Sequence, residues 1–132
     1  MIGLVIVAHA GLAEELLRAT ETIVGTVPGA VAVGIRPEDD VDAMRDTIAD
    51  AIKLVDDGAG VIIMTDMFGG TPSNMSLSFL EDGRIEVLTG VNLPMLIQFA
   101  MGRELGNISE QAEGLKRCGM ESITVAGEFL KV

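Results

Sequence analysis

Ile2-Gly3-Leu4-Val5-Ile6-Val7 is an apolar run with no polar face, and it passes through Ala8 into His9, Ala10 and Gly11. A run of this length, bounded by small residues and followed at once by an amphipathic pattern, reads as a central parallel strand whose carboxyl end opens into a helix. Open α/β sheets place their chemistry at such ends. His9, the sole histidine, stands there. Imidazole titrates near neutrality, so His9 is a candidate nucleophile or proton carrier, against the plainer alternative that a lone histidine is incidental.

The alternation continues along the chain. Leu12, Leu16, Ile23 and Val24 fall on one helical face, with Glu14, Glu15, Arg18 and Glu21 towards water and Gly25 closing the helix. A second strand spans Ala30 to Ile35, and a second helix runs from Val41 to Asp57. Its inner stripe is Val41, Met44, Ile48, Ala51, Ile52 and Val55, and Gly58 takes the left-handed position after it. The third strand, Gly60 to Met64, is apolar on both sides and ends in Thr65-Asp66-Met67-Phe68-Gly69-Gly70-Thr71-Pro72-Ser73-Asn74. Thr71 reads as an N-cap with Pro72 at the first helical position, opening a helix to Leu80. Asp82-Gly83 turns the chain into a fourth strand, Arg84 to Thr89. Asn92 and Pro94 then open a helix to Met101, with Asn92 expected to face the site. Asn107-Ile108-Ser109-Glu110 has the form of a capping box and starts a helix to Cys118. Ser122 to Ala126 reads as a short edge strand, and Gly127 to Val132 as a tail.

Strands alternating with helices through short connections imply a three-layer α/β fold, a mainly parallel open sheet with helices on both faces. With strand order 2-1-3-4, the first and third strands are neighbours and their ends flank the switch-point crevice. His9 and Asp66 then meet although they are distant in sequence. At 132 residues the whole chain, 1–132, is expected to be one domain.

Composition removes several function classes. A formal net charge of −11 repels nucleic acid and anionic membranes while favouring a basic protein partner. Four Phe with no Trp or Tyr leave little for stacking on bases or sugars. No apolar stretch approaches the roughly 18 residues of a membrane span, and no basic region precedes the first strand, so a cytoplasmic protein is expected. One cysteine, Cys118, excludes an internal disulfide and reads as a small reduced hydrophobe; with one histidine, no structural zinc site is expected. Met64, Met67, Met95 and Met101 read as core filler. Neither a GxxxxGK[ST] loop nor a GxSxG elbow is present, and no cofactor is expected.

A carboxylate beside an imidazole accepts from one ring N–H and leaves the other nitrogen's lone pair free. His9 and Asp66 suit that pairing, although Asp66 could equally cap its own loop. Gly69, Gly70, Thr71, Ser73 and Asn74 would direct N–H groups and two hydroxyls into the same crevice, with further donors from Gly11 and Leu12, an arrangement suited to an anion. Gly69-Gly70-Thr71-Pro72 could also be only a tight turn into a helix. A nucleophilic imidazole beside an anion cradle suggests phosphoryl transfer through a phosphohistidine.

Val5 to Gly11, Asp66 to Asn74 and Gly90-Val91-Asn92-Leu93-Pro94-Met95 together resemble the mannose-family enzyme IIA of the bacterial phosphotransferase system, over about Met1 to Met101. The resemblance implies that His9 accepts a phosphoryl group on Nε2 from the phosphocarrier HPr and passes it to a IIB component for carbohydrate uptake, with Asp66 orienting the ring. It implies a homodimer exchanging its C-terminal strand, and allows peripheral association with a membrane permease complex. No IIB domain follows in the sequence, so IIB is expected on a separate chain. The alternative is a regulatory IIA that binds a target according to its phosphorylation state without transporting sugar.

Overall fold

The computed structural model of the chain describes residues 1–131; the last residue of the expected tail, Val132, lies outside them. Its order is β1 Gly3–His9, α1 Leu12–Val24, β2 Ala30–Ile35, α2 Val41–Val55, β3 Val61–Thr65, α3 Thr71–Leu77, β4 Ile85–Thr89, α4 Leu93–Gly102, α5 Ile108–Glu121 and α6 Ala126–Leu130. All four strands pair in parallel in the order β2-β1-β3-β4, the order expected of a switch-point sheet.

Period-two alternation divides the central strands between two cores. Leu4, Ile6 and Ala8 of β1, with Ile62 and Met64 of β3, pack on Ala13, Met95, Leu96, Phe99, Ile108 and Leu115, which places α1, α4 and α5 on one face. Val5 and Val7, with Val61 and Ile63, pack on Met44, Ile48, Ala51, Ile52, Val55 and Met75, which places α2 and α3 on the other. Burial on both faces is what an apolar run without alternation requires. Among the described residues, no helix is long and apolar enough to cross a membrane.

Several expectations need correction. The expected strand Ser122 to Ala126 is absent from the sheet; among the described residues its backbone makes no ladder bond to β4, and the chain instead enters α6, none of whose residues is buried. The face of α1 is rotated: Ala13 and Thr20 are buried, Leu16 and Leu17 pack on the core, and Leu12 and Ile23 are exposed. Thr20 hides its polarity by donating to the Leu16 carbonyl at 2.8 Å, which lets a threonine occupy the inner stripe. Val41 and the methionines Met67 and Met101 are likewise exposed. The helix α2 stops at Val55 because Asp56 and Asp57 bond forward to the N–H groups of Gly58 and Ala59. The helix α3 ends at Leu77, where Ser76 and Ser78 hydroxyls donate back to the Pro72 and Met75 carbonyls, and such local bonds compete with the helix ladder.

Candidate functional site

Parallel register brings the site together. Val7 of β1 lies opposite Thr65 of β3, so His9 and Asp66 both project from the carboxyl end of neighbouring strands. The Asp66 Oδ2 accepts the His9 backbone N–H at 2.9 Å and stands 2.7 Å from the ring Nδ1, while its Oδ1 accepts the Met67 N–H at 3.0 Å. Asp66 therefore both caps its own loop and holds His9. Burial would raise the Asp66 carboxyl pKa, but the bonds from the His9 backbone and ring, with the ring's charge, outweigh it and hold the pKa below its ordinary value. An ionised carboxylate only accepts, so Nδ1 must carry the proton. In the neutral ring this leaves the lone pair on Nε2.

The imidazole is held at one edge and open at the other. The His9 side chain is 49% exposed and that of Asp66 only 12%. Gly70 packs against the open edge: a Cβ there would sit 2.9 Å from the His9 Cε1 and 3.3 Å from Nε2. Glycine is thus needed for close approach, and the contact places the loop after β3 against the nitrogen bearing the lone pair.

The other expected site residues are distributed unequally. Gly69, at φ 90°, makes the turn before Gly70. The N-cap of α3 is Gly70, so Thr71 is the first helical residue rather than the cap, and its side chain is exposed. Ser73 is buried with no partner for its hydroxyl among the described residues, so it does not line an open crevice. Asn74 is exposed, and its N–H returns to the Gly70 carbonyl at 2.9 Å. The first-turn N–H groups of Thr71 and Ser73 have no acceptor within the helix, and Pro72 has no N–H to leave unmet. Gly11 is the N-cap of α1, two residues beyond His9. Asn92 turns away from the site: its Oδ1 accepts the Met95 N–H and its Nδ2 donates to the Gly119 carbonyl of α5. The sequence reading also missed Ala10, whose backbone is left-handed at φ 52° directly after His9. A helix start so soon after the strand was its only signal.

Comparison with known proteins places the chain in a family. A family model described as PTS system fructose IIA component, EIIA-man, matches residues 3–116. The fructose-specific EIIA component of the phosphotransferase system of Bacillus subtilis is 29% identical over 99% of this chain and 90% of its own length. The sorbose-specific EIIA component of Lacticaseibacillus casei is 30% identical over 95% of this chain and 91% of its own. Among solved structures, phosphotransferase system component EIIA from Streptococcus agalactiae superposes with a TM-score of 0.87 at 25% identity, covering 97% of this chain and 99% of that one. The chain belongs to the mannose-type EIIA family of the sugar phosphotransferase system.

Proposed function

We propose that the protein is a phosphoryl carrier that accepts phosphate on His9 Nε2 from phosphorylated HPr and hands it to a IIB component on a separate chain, in the service of carbohydrate uptake. The observation that carries this reading is the polarity of His9: Nδ1 is bound to an ionised Asp66 and Nε2 is open beside Gly70. The Nε2 lone pair attacks the phosphorus of the donor, the donor's phosphorus–nitrogen bond breaks, and its imidazole leaves with the electron pair. Attack places positive charge on the His9 ring, 2.7 Å from the Asp66 carboxylate. The loop at Gly69 and Gly70, the backbone N–H groups of Thr71 and Ser73 in the first turn of α3, and Gly11 would supply neutral donors around the transferring group. Neutral donors stabilise it without holding it as tightly as a lysine or metal, which keeps transfer reversible.

Incubation with phosphorylated HPr should give a base-stable, acid-labile adduct on His9, absent in His9→Ala. Failure to form any adduct in the parent protein rejects the carrier reading. Rapid passage of the label to a IIB protein supports transport; retention by every IIB tested rejects the relay.

A further inference from the structure

Among the described residues, Ala10 and Lys131 are the non-glycine residues with left-handed backbones, and Ala10 follows His9 directly. Alanine is disfavoured there and persists only where neighbours hold it. Two contacts with β2 do so. The Ala10 N–H donates to the Ile35 carbonyl at 2.8 Å, one residue past the last β1–β2 pair. The Ala10 carbonyl oxygen turns onto Gly34, and a Cβ on residue 34 would be driven into it. Gly34 has no positive φ, so its missing side chain answers to this close approach, at a strand position that glycine otherwise weakens. The Arg36 Nη1 would also lie 3.2 Å from such a Cβ, but a flexible side chain can swing aside where a carbonyl locked in a turn cannot.

We propose that Gly34 is a positioning residue for His9: its missing Cβ admits the Ala10 carbonyl, which sets the left-handed turn and so the aim of the imidazole. The inference rests on His9 being the phosphoryl acceptor. Only Ala10 and Gly11 separate the end of β1 from the start of α1, so the reversal has no slack. Pushing Ala10 off Gly34 moves the chain on one side of His9 while Asp66 holds its N–H and ring from the other. Displacement of a reacting atom by about 1 Å is enough to slow a reaction about 100-fold.

The test compares Gly34→Ala with Gly3→Ala, which drives a Cβ into the Val55 carbonyl at the opposite end of β1. Two quantities are read: the ¹⁵N signals of the His9 imidazole, and the rate of phosphorylation by phosphorylated HPr per folded molecule. G34A should shift the Nδ1 signal and slow transfer about tenfold or more, whereas G3A should lose stability with both readouts at parent values. The double variant Gly34→Ala/Ala10→Gly should recover most of the signal and rate, because glycine at residue 10 can rotate its carbonyl off the residue 34 Cβ while the backbone at His9 stays in place. The proposal is overturned if G34A leaves both readouts unchanged or if G3A moves them equally. Should G34A not fold, recovery of the fold and the Nδ1 signal in the double variant supports the pair, and a double variant that stays unfolded or displaced overturns it. The imidazole signal needs no phosphate. A parent protein that HPr does not phosphorylate, with the signal still displaced in G34A, therefore rejects the carrier reading and leaves the positioning role standing.

Discussion

Asp66 bonds His9 through one oxygen and its own loop through the other, so the carboxylate joins the ends of β1 and β3 as well as orienting the ring. Asp66→Asn keeps the shape but can present an amide N–H to Nδ1, which would put the ring proton on Nε2. Phosphorylation of His9 in this variant should be slower by about 10- to 100-fold, the range for removing a group that orients an imidazole, and not abolished as in His9→Ala. A parental rate in Asp66→Asn would reduce Asp66 to a loop cap. The same residue predicts a pH dependence of stability. Its folded pKa lies below the ordinary value of 3.8, so its contribution is fully present above that value and is lost as pH falls through the lower folded one. The stability gap between parent and Asp66→Asn should shrink as pH falls below about 4. Denaturant titrations at a series of pH values measure it, and a gap that widens with acid contradicts the sign.

At the level of elements, the sequence was most readable where one physical signal dominated. The apolar runs of β1 and β3 and the inner stripe of α2, Val41 excepted, match the two cores, and the capping box at Asn107 and Glu110 is formed as its spacing implied. Readability failed where a side chain had two uses. Thr20, which lies outside the expected stripe of α1, is buried because its hydroxyl bonds its own helix; Asn92, beside Pro94 at a strand end, was expected to face the site. Its amide in fact fastens α4 to α5, and Gly119 lacks the Cβ that would strike the Met95 sulfur. The His9–Asp66 pairing was legible because topology alone imposes it, whereas the Gly70 contact and the Ala10 turn depend on coordinates that no spacing encodes. Asn92→Ala removes a cap and an inter-helix bond, and should lower stability by about 1–3 kcal/mol. Phosphorylation of His9 per folded molecule should remain at the parent rate. A selective loss of rate with stability intact would return Asn92 to the site.

Across the whole molecule, polar contacts and apolar surface are unevenly shared. At the end of the sheet opposite His9, Arg103 is buried, bonding the carbonyls of Ile2, Pro28 and Gly29 and lying 4.7 Å from the centre of the Phe99 ring. That guanidinium closes the bottom of the fold within one chain. The C-terminal end has no such closure: Ile123, Val125, Phe129 and Leu130 are all exposed, by 62–78%. They follow α5, which packs beside β4, and β4 has an open edge in this sheet. A cavity of about 140 Å³ lies there between Leu88, Asn92, Met95 and Ile123. The family match ends at residue 116, before these side chains. Exposed apolar residues adjoining an unpaired strand edge are a surface that a second copy can cover, each subunit laying its residues 122–126 along the other's β4. Sedimentation at micromolar concentration should then give twice the 13.9 kDa chain mass, and Val125→Asp should shift the equilibrium towards monomer, because the new charge would have to be buried against the partner. Both proteins should remain folded, since α6 contributes no buried residue to the single chain. A parent protein that sediments at the single-chain mass, or a Val125→Asp variant that dimerises as readily as the parent, would leave the open edge of β4 uncovered.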